Sequence, residues 1–405
     1  IYLENKNLPK TRLNKKIIVK VGTKYSFIIF ILIIIIEDKN TFYIFKNQRI
    51  IIMSIFDLKI YREERFLINV LFKERKDIKK EIDLEKIDYE LLVKIASGHL
   101  MLPSFYVNLK NKGFIDLIPS DLKMYLKEIF TINKNRNQVL LNEAKEISEI
   151  LIINDINHVF VKGTSYIFNN IYDDIGERMV GDIDFLVSKK DFTKTIELLK
   201  KLNYRGSKPM TSYAKHYGRL VNIEKIFAVE IHIGLLSKEY NKKMTPELIL
   251  KNKVNLNNKI YTPNNEQELL YNIYNFQIND YGSNKLSYSY RSFYDTFMLI
   301  KHPKTNLNKI KTDNYINNYL MIAKELRILN FEFSKIHKKK LNLFRFKLKT
   351  SKKLYFSVDD FICNTIIAIE LKRKQIIEII INRSFRKYAI KKILTITFGK
   401  KIFRF

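Results

Sequence analysis

The chain has no tryptophan and a single cysteine, Cys363. One cysteine rules out an intramolecular disulfide and a cysteine-based zinc site, and it fits a reducing, cytoplasmic setting. Glycine (11) and proline (7) are scarce among the 405 residues, while Ile, Lys, Asn, Phe and Tyr abound. That residue set is favoured by an AT-rich coding sequence. Acidic residues are in deficit, 42 against 73 Lys and Arg, so the formal charge is +31. Such a charge suits an acidic partner: nucleic acid, an anionic membrane or a phosphorylated small molecule. Coding bias accounts for most of it. No apolar stretch approaches the ~18 residues of a transmembrane helix; the run over residues 27–36 is far shorter. Lysines precede that run, as in a signal peptide. However, Glu37 and Asp38 follow at once and there is no small-residue cleavage site. The first methionine is Met53. The reading adopted is a doubtful extension over residues 1–52, a translated upstream region, with a membrane anchor as the lesser alternative.

What is present is ample core material, 46% hydrophobic residues, in a chain long enough for two or three domains. Residues 53–145 read as a helical region broken by Pro103 and Pro119. Leu140, Ala144, Ile147 and Leu151 share one helical face. The texture changes at Asn157. Val159 to Val161 is a short strand pattern ending at Lys162-Gly163, with a helix expected from Thr164 or Ser165. A strand follows over Asp182 to Val187. Ser188 and Asp191 open a helix to about Leu202, in the manner of a capping box. A third strand is expected over Phe227 to Ile233. The fold class is therefore α/β (α+β), with a compact core over residues 146–260. The remainder, 261–405, reads as helical and basic, with helices over Glu266 to Asn279 and Tyr290 to Ile300. Near its end Phe344, Phe346 and Leu348 alternate with Arg345, Lys347 and Lys349, after the cluster Lys338-Lys339-Lys340.

The strongest chemical signal is Gly181-Asp182-Ile183-Asp184-Phe185-Leu186-Val187. Residues two apart on a strand face the same way. Asp182 and Asp184 project together while Ile183 and Phe185 enter the core. Paired carboxylates repel unless a hard cation lies between them, and Mg²⁺ favours oxygen ligands. An isolated Asp-x-Asp is more often a solvated strand edge. The second strand shifts that balance, because Glu230 and His232 share a face there with Val229 and Ile231 buried. Glu230 either ligates the metal or accepts a proton from an attacking hydroxyl. His232 reads as a satisfied, half-buried histidine. Lys162-Gly163-Thr164-Ser165 offers a glycine, a helix start, two hydroxyls and a positive charge, all suited to phosphate. By itself it is equally a capped strand-to-helix turn.

Taken together, these residues resemble the DNA polymerase β-like nucleotidyltransferase superfamily. They are closest to a bacterial branch in which Lys-Gly precedes Arg-x-x-x-Asp-x-Asp and an acid-x-His strand. Here those are Lys162-Gly163, Arg178 to Asp184, and Glu230-Ile231-His232. The helical run to Asn154, containing Ala96-Ser97-Gly98-His99, is also similar to that branch. So is Leu198-Leu199 to Asn203-Tyr204. Two departures stand out. The superfamily's Gly-Gly or Gly-Ser pair is Gly163-Thr164, with Ser165 one place later, and the distal acid is Glu230 in place of Asp. The resemblance covers roughly residues 90 to 300. It implies that Asp182, Asp184 and Glu230 hold Mg²⁺ (or Mn²⁺), that Lys162, Gly163, Thr164 and Ser165 hold the triphosphate of an NTP, and that a nucleoside monophosphate is transferred. Arg178 reads as a phosphate contact or as an ion pair with Asp173, Asp174 or Glu177. The acceptor is open among a small molecule, a protein and an RNA end. The alternative of a different class is a basic nucleic-acid-binding protein without turnover.

Overall fold

A computed structural model describes residues 17–19, 42–46, 49–53, 60–78, 84–206, 211–256, 259–329, 340–351 and 353–398. The apolar run 27–36, Lys338 and Lys339 lie outside the described residues. The chain divides into two compact units, 1–59 with 337–357 and 60–336 with 358–405. In the first, β1 (Ile17–Val19), β2 (Phe42–Lys46) and β3 (Arg49–Met53) form an antiparallel sheet with β3 in the centre. A helix over Lys340–Ser351 belongs to the same unit, so the Phe/Lys alternation there is helical.

The second unit carries the chemistry. It opens with α1 (Arg62–Phe72), α2 (Tyr89–Gly98) and α3 (Leu102–Asn111), the last with its proline in the first turn, where a missing N–H is harmless. Then α4 (Ser120–Ile153) runs for 34 residues. Its Leu140, Ala144, Ile147 and Leu151 are buried on the face the sequence predicts. That stripe packs against a three-stranded sheet of order β4 (His158–Phe160), β5 (Asp182–Val187), β6 (Ala228–His232). β4 pairs with β5 antiparallel, and β5 with β6 parallel. Between them lie α5 (Lys162–Phe168) and α6 (Phe192–Lys201). The outer edge of β6 is paired by residues 215–221: Tyr217 N–H donates to Ile231 O (2.8 Å) and Leu220 N–H to Val229 O (2.9 Å). Beyond α7 (Pro246–Lys251), the hairpin β7 (Val254–Leu256) with β8 (Ile260–Thr262) lies against β4. The architecture is mixed α+β with a small sheet, as expected.

The helices after the sheet close over its functional end. α8 (Asn265–Tyr274) starts with a full capping box, Asn264 with Gln267, and rests on α5. It continues into a π-helical turn, Asn275–Asn279. α9 (Tyr290–Lys301) packs on α8 and α1, and α10 (Asn314–Glu325) packs on α8. Tyr288 and Tyr290 donate hydrogen bonds to Glu64, and Arg65 donates to Leu326 O (2.8 Å). The helices before and after the sheet are therefore in direct contact. α11 (Lys340–Ser351) is the helix of the first unit; α12 (Lys353–Ile381) and α13 (Arg383–Phe398) follow it. Among the described residues no helix is long and apolar enough to cross a membrane.

Candidate active site

Strand periodicity decides which side chains meet. On β5, Ile183 and Phe185 enter the core with Val229 and Ile231 of β6. The opposite face presents Asp182, Asp184, Glu230 and His232. The parallel register sets Asp184 directly beside Glu230. Two carboxylates so placed repel, and the chain supplies its own counter-charge. Lys162 Nζ lies 2.5 Å from Asp184 Oδ1 and 3.7 Å from Glu230 Oε2. To do this Lys162 takes a left-handed backbone, φ 59°, uncommon for a residue with a side chain.

His232 completes the cluster. Its ring is fully buried, with Nε2 2.7 Å from Asp184 Oδ1 and 3.8 Å from Glu230 Oε2. Burial, reinforced by the charge of Lys162, pushes the imidazole down to about 3, so it is neutral near pH 7. The neutral ring donates Nε2–H to Asp184, and Nδ1 has no hydrogen-bond partner among the described residues. His216 lies alongside, its ring 4.9 Å from that of His232 and its Nδ1 3.8 Å from Glu230 Oε2. Burial alone would raise Asp184, but Lys162 and the hydrogen bond from His232 outweigh it and hold the carboxyl well below the usual range. Burial, and then the charge of Asp184, push Glu230 up to about 7. Asp182 is raised for the same two reasons in the same order.

One ligand atom each from Asp184, Glu230 and His232 lie within 4.8 Å of one another. Two carboxylates and a neutral imidazole form a donor set that suits a divalent cation. The residues present fit a metal. Asp182 stands at the start of β5, half exposed and outside that trio.

The Lys162–Ser165 segment differs in detail from expectation. The helix begins at Lys162 itself, not at Thr164 or Ser165. Thr164 and Ser165 are fully buried; Ser165 Oγ donates to Lys162 O (2.8 Å) and Thr164 Oγ1 to Asp182 O (3.4 Å). Gly163 is fixed by packing, since a Cβ there would meet Val180 Cγ2 at 2.8 Å. Arg178 makes an ion pair, though not with Asp173, Asp174 or Glu177. Its Nε and Nη2 grip Asp295 at 2.8 and 3.0 Å in a two-pronged pair, and Tyr172 donates to the same carboxylate. Glu177 turns away to accept from Tyr294 (3.0 Å) and from Asp174 N–H (3.2 Å).

A model of the uncharacterised nucleotidyltransferase family matches residues 85–330. The chain belongs to that family. No curated protein and no solved structure matches it. The matched span holds α2 to α10, so the family's unit includes helices on both sides of the sheet as well as the strands.

His232 is fully buried where a half-buried histidine is expected, and it is satisfied at Nε2 by Asp184 on the acidic face it shares with Glu230. Asp295, Arg291, Tyr271 and Lys215 were not singled out. Arg291 and Asp295 are one turn apart on α9, a pattern too common on helices to carry information alone.

Proposed function

We propose that this chain is a metal-dependent nucleotidyltransferase that moves a nucleoside monophosphate from an NTP to an acceptor hydroxyl. The observation that carries the reading is the facing pair Asp184 and Glu230 on adjacent parallel strands, with His232 in reach of both, in a chain of this family. Asp182, Asp184 and Glu230 would hold Mg²⁺ or Mn²⁺, with His232 as a ligand or as the group orienting Asp184. When bound, the cation draws charge from the phosphates and favours displacement at the α-phosphorus.

The chain's own groups do the rest. The side chain of Glu230 is 18% exposed against 4% for Asp184, so Glu230 is the carboxylate an incoming hydroxyl can reach. It takes the hydroxyl proton as the acceptor oxygen bonds to the α-phosphorus. The bond from that phosphorus to the bridging oxygen breaks, and pyrophosphate leaves with the electron pair. Lys162, Gly163, Thr164 and Ser165 form the phosphate end, Lys162 by charge and the next three through the backbone of the first turn of α5. Arg178 borders the same end through its pair with Asp295.

The test supplies each of the four α-³²P-labelled NTPs with Mg²⁺ or Mn²⁺ and a cell extract as acceptor pool. Label enters a product with wild type and falls to background with Asp184→Asn. Equal labelling by the two proteins would sink the assignment. The second reading, a nucleic-acid-binding protein without turnover, draws on the basic residues of α13, among them exposed Arg386, Lys387, Lys391 and Lys392. The two readings merge if the acceptor is RNA.

A further inference from the structure

Beside the acidic cluster lies a pocket of about 80 Å³, bordered by Lys162, Arg178, Tyr271, Asp280, Arg291 and Asp295. That is room for several waters or one phosphate group. Its charges do not balance internally. Arg178 is matched by Asp295, and Lys162 by Asp184. Asp280 accepts weakly from Asn275 Nδ2 (3.4 Å). Arg291, though half buried, makes no hydrogen bond and no ion pair with any described residue. The like charge of Arg178 acts on it most strongly, with Asp295 and Asp280 opposing from beyond ion-pair distance.

A half-buried guanidinium with no acceptor among the described residues offers its planar fork of donors to an anion entering the pocket. A second, independent observation points the same way. Tyr271 is 1% exposed, borders the pocket, and its hydroxyl has no hydrogen-bond partner. Lys215, on the segment edging β6, makes no described hydrogen bond or ion pair with its ammonium either. It lies within the electrostatic reach of Lys162, Asp280 and Glu230. Arg291 and the Tyr271 hydroxyl border the pocket together with Lys162, and Lys215 stands within electrostatic reach of that lysine.

We propose that this pocket is a phosphate subsite, with Arg291 and Tyr271 as its contacts and Lys162 as its link to the acidic cluster. Arg291 grips phosphate oxygens through its planar fork, and Tyr271 donates its hydroxyl. Arg178, spoken for by Asp295, holds α9 in place and so positions Arg291. The inference rests on the transferase reading for its meaning, since the phosphate comes either from the tail of the NTP or from the acceptor.

The experiment titrates the full chain with inorganic tripolyphosphate by calorimetry, in EDTA and then in Mn²⁺, for wild type, Arg291→Met, Arg291→Lys and Tyr271→Phe. Wild type binds without metal. Arg291→Met weakens binding at least tenfold, Arg291→Lys recovers part of it, and Tyr271→Phe costs several-fold. A non-hydrolysable NTP that displaces tripolyphosphate assigns the subsite to the nucleotide tail; one that binds alongside assigns it to an acceptor phosphate. Binding that is unchanged within twofold in a folded Arg291→Met overturns the proposal, even if labelled transfer proceeds. Arg291-dependent binding without transfer from any NTP leaves the subsite standing and removes the transferase reading instead.

Discussion

Lys162 is the residue on which the site turns. Its ammonium sits against a carboxylate that is almost wholly enclosed, and removing one partner of such a pair leaves the other charge buried and unmatched. Lys162→Met is therefore expected to destabilise the chain in EDTA by about 3 kcal/mol, the low end for a broken buried pair. Millimolar Mn²⁺ should restore more stability to the variant than it adds to wild type. Thermal melts of both proteins, with and without the ion, check this; equal melting in EDTA would show that Asp184 does not depend on Lys162. At this scale the acidic face was legible because a period of two is enough to say which side chains share a side. The lysine's part was not, because nothing in Lys-Gly-Thr-Ser announces a left-handed backbone that turns the amine back onto the strands. Nor could Arg178 reveal its partner, which lies 117 positions away.

Among the elements, the loop between α5 and β5 is the most heavily tied. Asn133 and Asn137 of α4 donate side-chain amides to Gly176 O and Ile175 O, and both also reach Arg178 O, at 3.1 and 2.8 Å. Ser104 of α3 donates to Glu177 O (3.0 Å). Glu177 itself is enclosed, and burial pushes its carboxyl up to about 7 against the pull of the Tyr294 hydrogen bond. A folded-state pKa above the ordinary 4.5 means this group's contribution is full below pH 4.5 and is lost as pH rises through 7. The loss amounts to at most about 3 kcal/mol. Glu177→Gln should therefore melt with a smaller difference between pH 5.5 and pH 8 than wild type does. An unaltered difference would place the titration elsewhere. The three strands of the central sheet were readable within a residue or two: β6 spans Ala228–His232 where Phe227 to Ile233 was expected, while the strands of the first unit and the β7–β8 hairpin were not expected at all. The π-turn that ends α8 was not, since one extra residue in a turn leaves the apolar spacing almost unchanged.

Across the whole molecule, 73 basic residues face 42 acidic ones, and about half of the excess lies in residues 335–405, where 20 Lys and Arg face 4 Asp and Glu. Such a basic excess produces salt-sensitive attraction to nucleic acid. The full chain should bind mixed-sequence RNA at 50 mM salt and release most of it by 200 mM, with affinity falling linearly in log salt. Filter binding across that range measures it, and a flat response would remove the electrostatic reading. The core drawn from sequence over residues 146–260 holds the three-stranded sheet, and its far boundary falls on the first residue of β8. The contacts do not stop there. α4 supplies loop anchors from one side, and α8 and α9 supply the pocket from the other.

The grip of Arg178 on Asp295 gives this layout a hereditary consequence. Two codons more than a hundred positions apart answer for one enclosed pair of charges. A lineage that loses the arginine keeps a stranded carboxylate until the aspartate changes too. Descendants should thus carry both or neither, and a crossover exchanging one helical flank between distant cousins would survive only where it brings a matching partner.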